Sequence, residues 1–80
     1  MRVLWRHSAL ASARRFMADQ AGMRAVDEAV AALSGDPEPP GVLGRGSYRR
    51  LRVDAYQVLY EVEGDVIVIV RVDRAQPGRG

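Results

Sequence analysis

The chain has no cysteine, no lysine, a single histidine and no long apolar run. Without cysteine there is no disulfide framework, no thiolate metal site and no thiol nucleophile, and a reducing cytoplasm is the expected setting. His7 cannot build a multi-histidine metal centre, so no metal or other cofactor is expected. No stretch approaches the ~20 apolar residues of a membrane span. Arg14 and Arg15 interrupt the N-terminal apolar positions, a pattern unlike a signal peptide. The glycines at 41, 44 and 46 lack a following lysine and helix, which excludes a phosphate-binding P-loop.

What is present points to one small domain. A chain of 80 residues buries only about 60% of its unfolded surface, so its stability is expected to be marginal. It carries 12 basic and 10 acidic residues, too small an excess to indicate a nucleic-acid partner by itself. Every basic residue apart from His7 is arginine, whose planar fork grips phosphate but makes a poor general base. Arg45, Arg49, Arg50 and Arg52 lie close together, and Arg71, Arg74 and Arg79 stand near the end.

Residues 2–6 read as a first strand. Ser8 is placed as N-cap of a helix from Ala9 to about Asp19, with Leu10, Ala13 and Phe16 or Met17 as its buried stripe. A second helix is expected over 23–33, with Met23, Val26, Val30 and Leu33 on one face and Gly35-Asp36-Pro37 beyond its end. Residues 36–41 form a stiff proline loop, and 42–46 a flexible segment. Three strands follow, over 47–53, 56–62 and 66–72, with turns at Asp54-Ala55 and Glu63-Gly64-Asp65. The apolar run Val66–Val70 belongs at the centre of the sheet. The expected order is β-α-α-β-β-β: an α+β two-layer domain over residues 1–80, a helix pair on a mainly antiparallel four-stranded sheet, with a disordered tail at 75–80.

The segment from Tyr48 to Val62 is the most informative. Strand side chains alternate, so Leu51 and Val53 can point inward while Arg50 and Arg52 point out beside Tyr48. Guanidinium groups beside a phenol on a rigid sheet suit a polyanion, with RNA the natural candidate. The same alternation also describes any antiparallel sheet with one solvated face. The wording Tyr-Arg-x-Leu-Arg-Val, then Tyr-x-Val-Leu-Tyr-Glu-Val, then an acidic-Gly turn and a Val/Ile run resembles the RelE family of bacterial toxins.

That resemblance implies a toxin of a type II toxin–antitoxin pair that cleaves mRNA on the ribosome and inhibits translation. Its partners would be a cognate antitoxin, in a hetero-oligomer, together with the ribosome and mRNA. By position it makes Arg50, Arg52 and Arg74 the candidate catalytic residues, with Tyr48, Arg49, Arg45 and Gln57 binding substrate. Clustered guanidiniums would stabilise charge on phosphorus and align the attacking 2′-hydroxyl. Two departures leave that active site incomplete. Gln57 stands where the family has a phosphate-contacting arginine, and the chain lacks the family's terminal His-Arg pair and tyrosine. An alternative is a non-enzymatic toxin like ParE, which binds DNA gyrase; another is a weakened toxin that mainly binds its antitoxin. Trp5, Tyr56 and Tyr60 read as packing residues, and His7 as a surface residue.

Overall fold

The run Val66–Val70 lies inside a nine-residue strand, Val66–Arg74, with a neighbour on each side. In the computed structural model, which describes residues 1–75, the elements are β1 (Arg2–Trp5), α1 (His7–Arg14), α2 (Gln20–Ala32), β2 (Leu43–Arg45), β3 (Tyr48–Val53), β4 (Tyr56–Glu63) and β5 (Val66–Arg74). The sheet order is β1-β5-β4-β3-β2. Strands β2 to β5 form an antiparallel meander, and β1 lies parallel to β5. The two-layer α+β architecture is as expected, with five strands instead of four. The extra strand falls in the segment read as flexible: Leu43, Gly44 and Arg45 pair with Arg50, Arg49 and Tyr48. Gly46 at φ 62° supplies the positive φ that a two-residue hairpin loop requires. Of the expected tail, residues 76–80 lie outside the described residues.

The two helices cover one face of the sheet, α1 against β5 and α2 against β3 and β4. Tyr56, Val58, Tyr60, Ile67, Ile69 and Val72 point into the core from the sheet; Val26, Val30, Leu33, Ala9 and Phe16 meet them. Helix α1 departs from its expected phase. Its buried positions are Ala9 and Ser12, followed by Phe16 just past its end, while Leu10 and Met17 are 46% and 63% exposed.

Hydrogen bonding explains that phase. β1 pairs with β5 only as far as Ile69, so the next polar groups on that side of β5 need other partners. The Ser8 hydroxyl donates to the Val70 carbonyl (2.9 Å), and Ser12 Oγ accepts the Val72 N–H (2.9 Å). Two hydroxyls one helical turn apart thus continue β1's role. Ser8 is therefore not the N-cap; Arg6 occupies that position without a side-chain bond. Helix α2 starts earlier than expected because Asp19 caps it, accepting the N–H of Gly22 (2.9 Å).

A bulge at Val70 sets the facing of the last strand. Tyr60 pairs with Ile69 but Leu59 pairs with Arg71, leaving Val70 as the extra residue. Ile67, Ile69 and Val72 consequently all face the helices. Without the bulge Val72 would turn outward and Arg71 inward.

Candidate functional site

The face away from the helices carries the charged alternate positions of the meander. Its register forms rows across the strands. Arg50, Leu59 and Arg71 make one row, Arg52, Gln57 and Asp73 the next, and Tyr48, Glu61, Val68 and Leu4 a third. An open depression of about 600 Å³ lies on the β2 side, lined by Leu43, Gly44, Tyr48, Arg49, Arg50 and Leu59. A smaller recess of about 60 Å³ follows, lined by Arg50, Gln57, Leu59, Arg71 and Asp73.

The arginines here differ in what holds them. Arg50 makes no hydrogen bond or ion pair among the described residues. Arg52 is tethered at one point, its Nε donating to the backbone carbonyl of Asp54 (2.7 Å). Arg71 Nε donates to Asp73 Oδ2 (3.0 Å), and Arg6 reaches Glu61 Oε1 (3.4 Å). Both carboxylates on these rows are thus matched by an arginine. Leu43 and Tyr48 are 66% and 41% exposed beside them.

The sequence-derived candidates divide between the two faces. Tyr48, Arg50, Arg52 and Gln57 come together on the open face. Arg45 ends β2, its Cα in register with that of Tyr48. Arg49 pairs with Tyr60, on the helix side of β3, and its Nε donates to Glu38 of the proline loop (3.0 Å). Its Nη1 donates to the carbonyls of Gly46 and Tyr48. Arg74 is also on the helix side. Its guanidinium lies 5.6 Å from the Phe16 ring centroid and 5.7 Å from that of Tyr56. Arg71, in register with Leu59, is the arginine of β5 that shares the open face with Arg50 and Arg52. The available signal was the apolar Val72 between charged neighbours, whose burial forces the phase change at Val70.

The two buried tyrosines are structural. The Tyr60 hydroxyl donates to the Pro37 carbonyl (2.6 Å), tying the proline loop to β4. Burial, with Glu38 close by, raises the Tyr60 phenol above its ordinary pKa. The Tyr56 hydroxyl donates to Asp19 Oδ2 (2.6 Å), which raises the phenol and lowers the carboxyl. Among the described residues no cluster of His, Asp or Glu could hold a metal ion, and no helix is long and apolar enough to cross a membrane.

Comparison with known proteins agrees with this geometry. Three solved chains match. One is the crystal structure of a copper-bound mutant toxin from Helicobacter pylori, 13% identical with a TM-score of 0.74, the match covering 92% of this chain and 93% of that one. At that identity the likeness is one of fold. No curated protein matches. A family model described as the ParE toxin of the type II toxin-antitoxin system parDE matches residues 3–76. The five-stranded sheet with its two helices, the arginine-bearing hairpin and that near-complete match place the chain in the ParE toxin family, within the RelE/ParE superfamily of type II toxin–antitoxin systems.

Proposed function

We propose that this toxin arrests growth by docking its open sheet face on a protein target, and that the target is DNA gyrase, a reading its ParE membership supports. The composition of the large depression carries this reading. Exposed Leu43 and Tyr48 stand with Leu59 and Arg50, which has no partner among the described residues, around about 600 Å³ of open space. Tyrosine and arginine beside apolar side chains are the residue types that anchor protein interfaces. Glu61 and Asp73 also break the cationic surface, compensating Arg6 and Arg71. A polynucleotide binds best along an unbroken positive track. Family membership brings an antitoxin partner as well. An acidic antitoxin segment would be steered by the same arginines.

A second reading, mRNA cleavage on the ribosome, is favoured by Arg50 and Arg52, which share one face with the Tyr48 phenol. Two assays separate them: supercoiling by gyrase with purified toxin, and mapping of mRNA 5′ ends after induction in a bacterial host. Inhibited supercoiling with intact transcripts supports docking on gyrase. Cuts within translated frames with unaffected gyrase would replace that reading with ribonuclease action.

A further inference from the structure

The smaller recess lies where β3, β4 and β5 run side by side. Arg50 and Arg71 flank Leu59 from the two neighbouring strands, one row from Gln57 and Asp73. The recess is small, about 60 Å³, and opens to solvent, so a single small group such as a carboxylate can enter it.

Arg71 is held in a particular way. Asp73 accepts Arg71 Nε at Oδ2 (3.0 Å) and the Arg74 N–H at Oδ1 (3.1 Å). Both carboxylate oxygens are therefore fixed, and only one edge of the guanidinium is used. The terminal nitrogens of Arg71 have no partner among the described residues. A guanidinium oriented through Nε with its far edge open is arranged for a two-point contact with a carboxylate or phosphate. Gln57 adds a side-chain amide, and Leu59 an apolar wall. The charges of Arg50, Arg71 and Asp73 sum to +1, matching one singly charged group.

We infer that this recess is an anion subsite that receives an acidic side chain of the target protein, with Arg50 and Arg71 as contacts and Asp73 as the residue that positions Arg71. The inference rests on the protein-docking reading above. It favours a carboxylate over a phosphodiester because the recess adjoins the leucine- and tyrosine-lined depression, and because carboxylates interrupt the cationic rows on this face.

The test titrates the full chain with sodium acetate or sodium dimethyl phosphate at constant ionic strength, following arginine Nε–H and Gln57 amide resonances. Acetate is expected to give saturable shifts at Arg50, Arg71 and Gln57 that disappear in Arg71→Gln. Asp73→Asn keeps an acceptor for Nε while removing the competing charge, so acetate should bind roughly two- to fivefold more tightly, the scale of one exposed charge pair. Well-dispersed backbone spectra of both variants control for folding. Non-saturating shifts, undiminished binding in Arg71→Gln, or tighter binding of dimethyl phosphate than of acetate would each overturn the inference. Acetate binding here by a toxin that leaves gyrase supercoiling untouched would support the subsite's chemistry while removing gyrase as the target.

Discussion

The Tyr56 hydroxyl donates a 2.6 Å hydrogen bond to Asp19, the carboxylate that caps α2. One side chain thus closes a helix end and pins it to β4. Gly22 stands against the pair: a Cβ there would collide with the Asp19 carboxylate and come within 2.7 Å of Tyr56 Cε2. Phe16 packs on the Tyr56 ring at 5.1 Å, and the Arg74 guanidinium lies over both. This interlock joins the turn between the helices to the end of the sheet.

A specific acid sensitivity follows. The bond from Tyr56, reinforced by the Gly22 N–H, holds Asp19 below its ordinary value of 3.8. A lowered carboxyl pKa stabilises the fold above the unfolded value, and that contribution is lost as pH falls through the depressed folded value. Tyr56 is raised above 10.0 by the same bond, so its contribution is complete below that value and lost as pH rises through the raised one. Tyr56→Phe should therefore flatten the decline of Tm below pH 3.8 and above pH 10. Parallel Tm–pH curves for the two proteins would show that the bond does not couple proton binding to folding.

Ser12 offers a test of the link between α1 and the sheet. Its hydroxyl donates to the Ala9 carbonyl (2.8 Å) and accepts the Val72 N–H (2.9 Å), and it is buried. Ser12→Ala strands a buried N–H and should cost about 1–3 kcal/mol. Ser8→Ala, at an exposed bond, should cost less. Urea unfolding measures both; equal losses would contradict the assignment of Ser12 as the buried substitute for a strand partner.

Much of this architecture was legible because local signals agreed. Short loops forced the meander, the Val66–Val70 run required two flanking strands, and Tyr48–Val53 alternated cleanly. The phase of α1 was hidden because Leu10 and Met17 outrank serine on any hydropathy pattern, yet Ser12 meets a long-range polar demand from Val72. The facing of the last arginines was hidden by the bulge at Val70, a one-residue shift that exchanges faces. Alternation brought Arg50 and Arg52 out together beside Tyr48, as the register has them, whereas Arg74, taken from the family resemblance, lies on the opposite side of the sheet. Arg71 was present in the sequence all along, and only tertiary burial of Val72 identifies its face.

The two faces can be separated by mutation. Arg74→Gln removes a cation stacked over Phe16 and Tyr56, which should lower stability by about 0.5–1 kcal/mol and leave growth arrest intact in cells. Arg50→Gln removes an arginine with no partner among the described residues, so Tm should stay nearly constant while growth arrest is lost. Thermal unfolding and induced-growth curves on both variants provide the check. The reverse pattern would move the functional surface to the helix side.

The hairpins supply the last prediction. Loops β2–β3, β3–β4 and β4–β5 each begin with a residue at positive φ: Gly46 at 62°, Asp54 at 53° and Gly64 at 61°. Asp54 is the non-glycine member, in a conformation that costs an ordinary L-residue roughly 1–2 kcal/mol, although aspartate tolerates it better than most. Glycine relieves that strain while adding entropy to the unfolded chain, so Asp54→Gly should gain only about 0.5 kcal/mol. Alanine keeps a Cβ at positive φ where glycine has none, so Asp54→Ala should be less stable than Asp54→Gly by about 1 kcal/mol. The bond from Arg52 Nε goes to the Asp54 backbone carbonyl and is available in both variants. Their difference in urea unfolding therefore isolates the backbone conformation, and equal stabilities would mean that the turn relaxes out of positive φ at no cost.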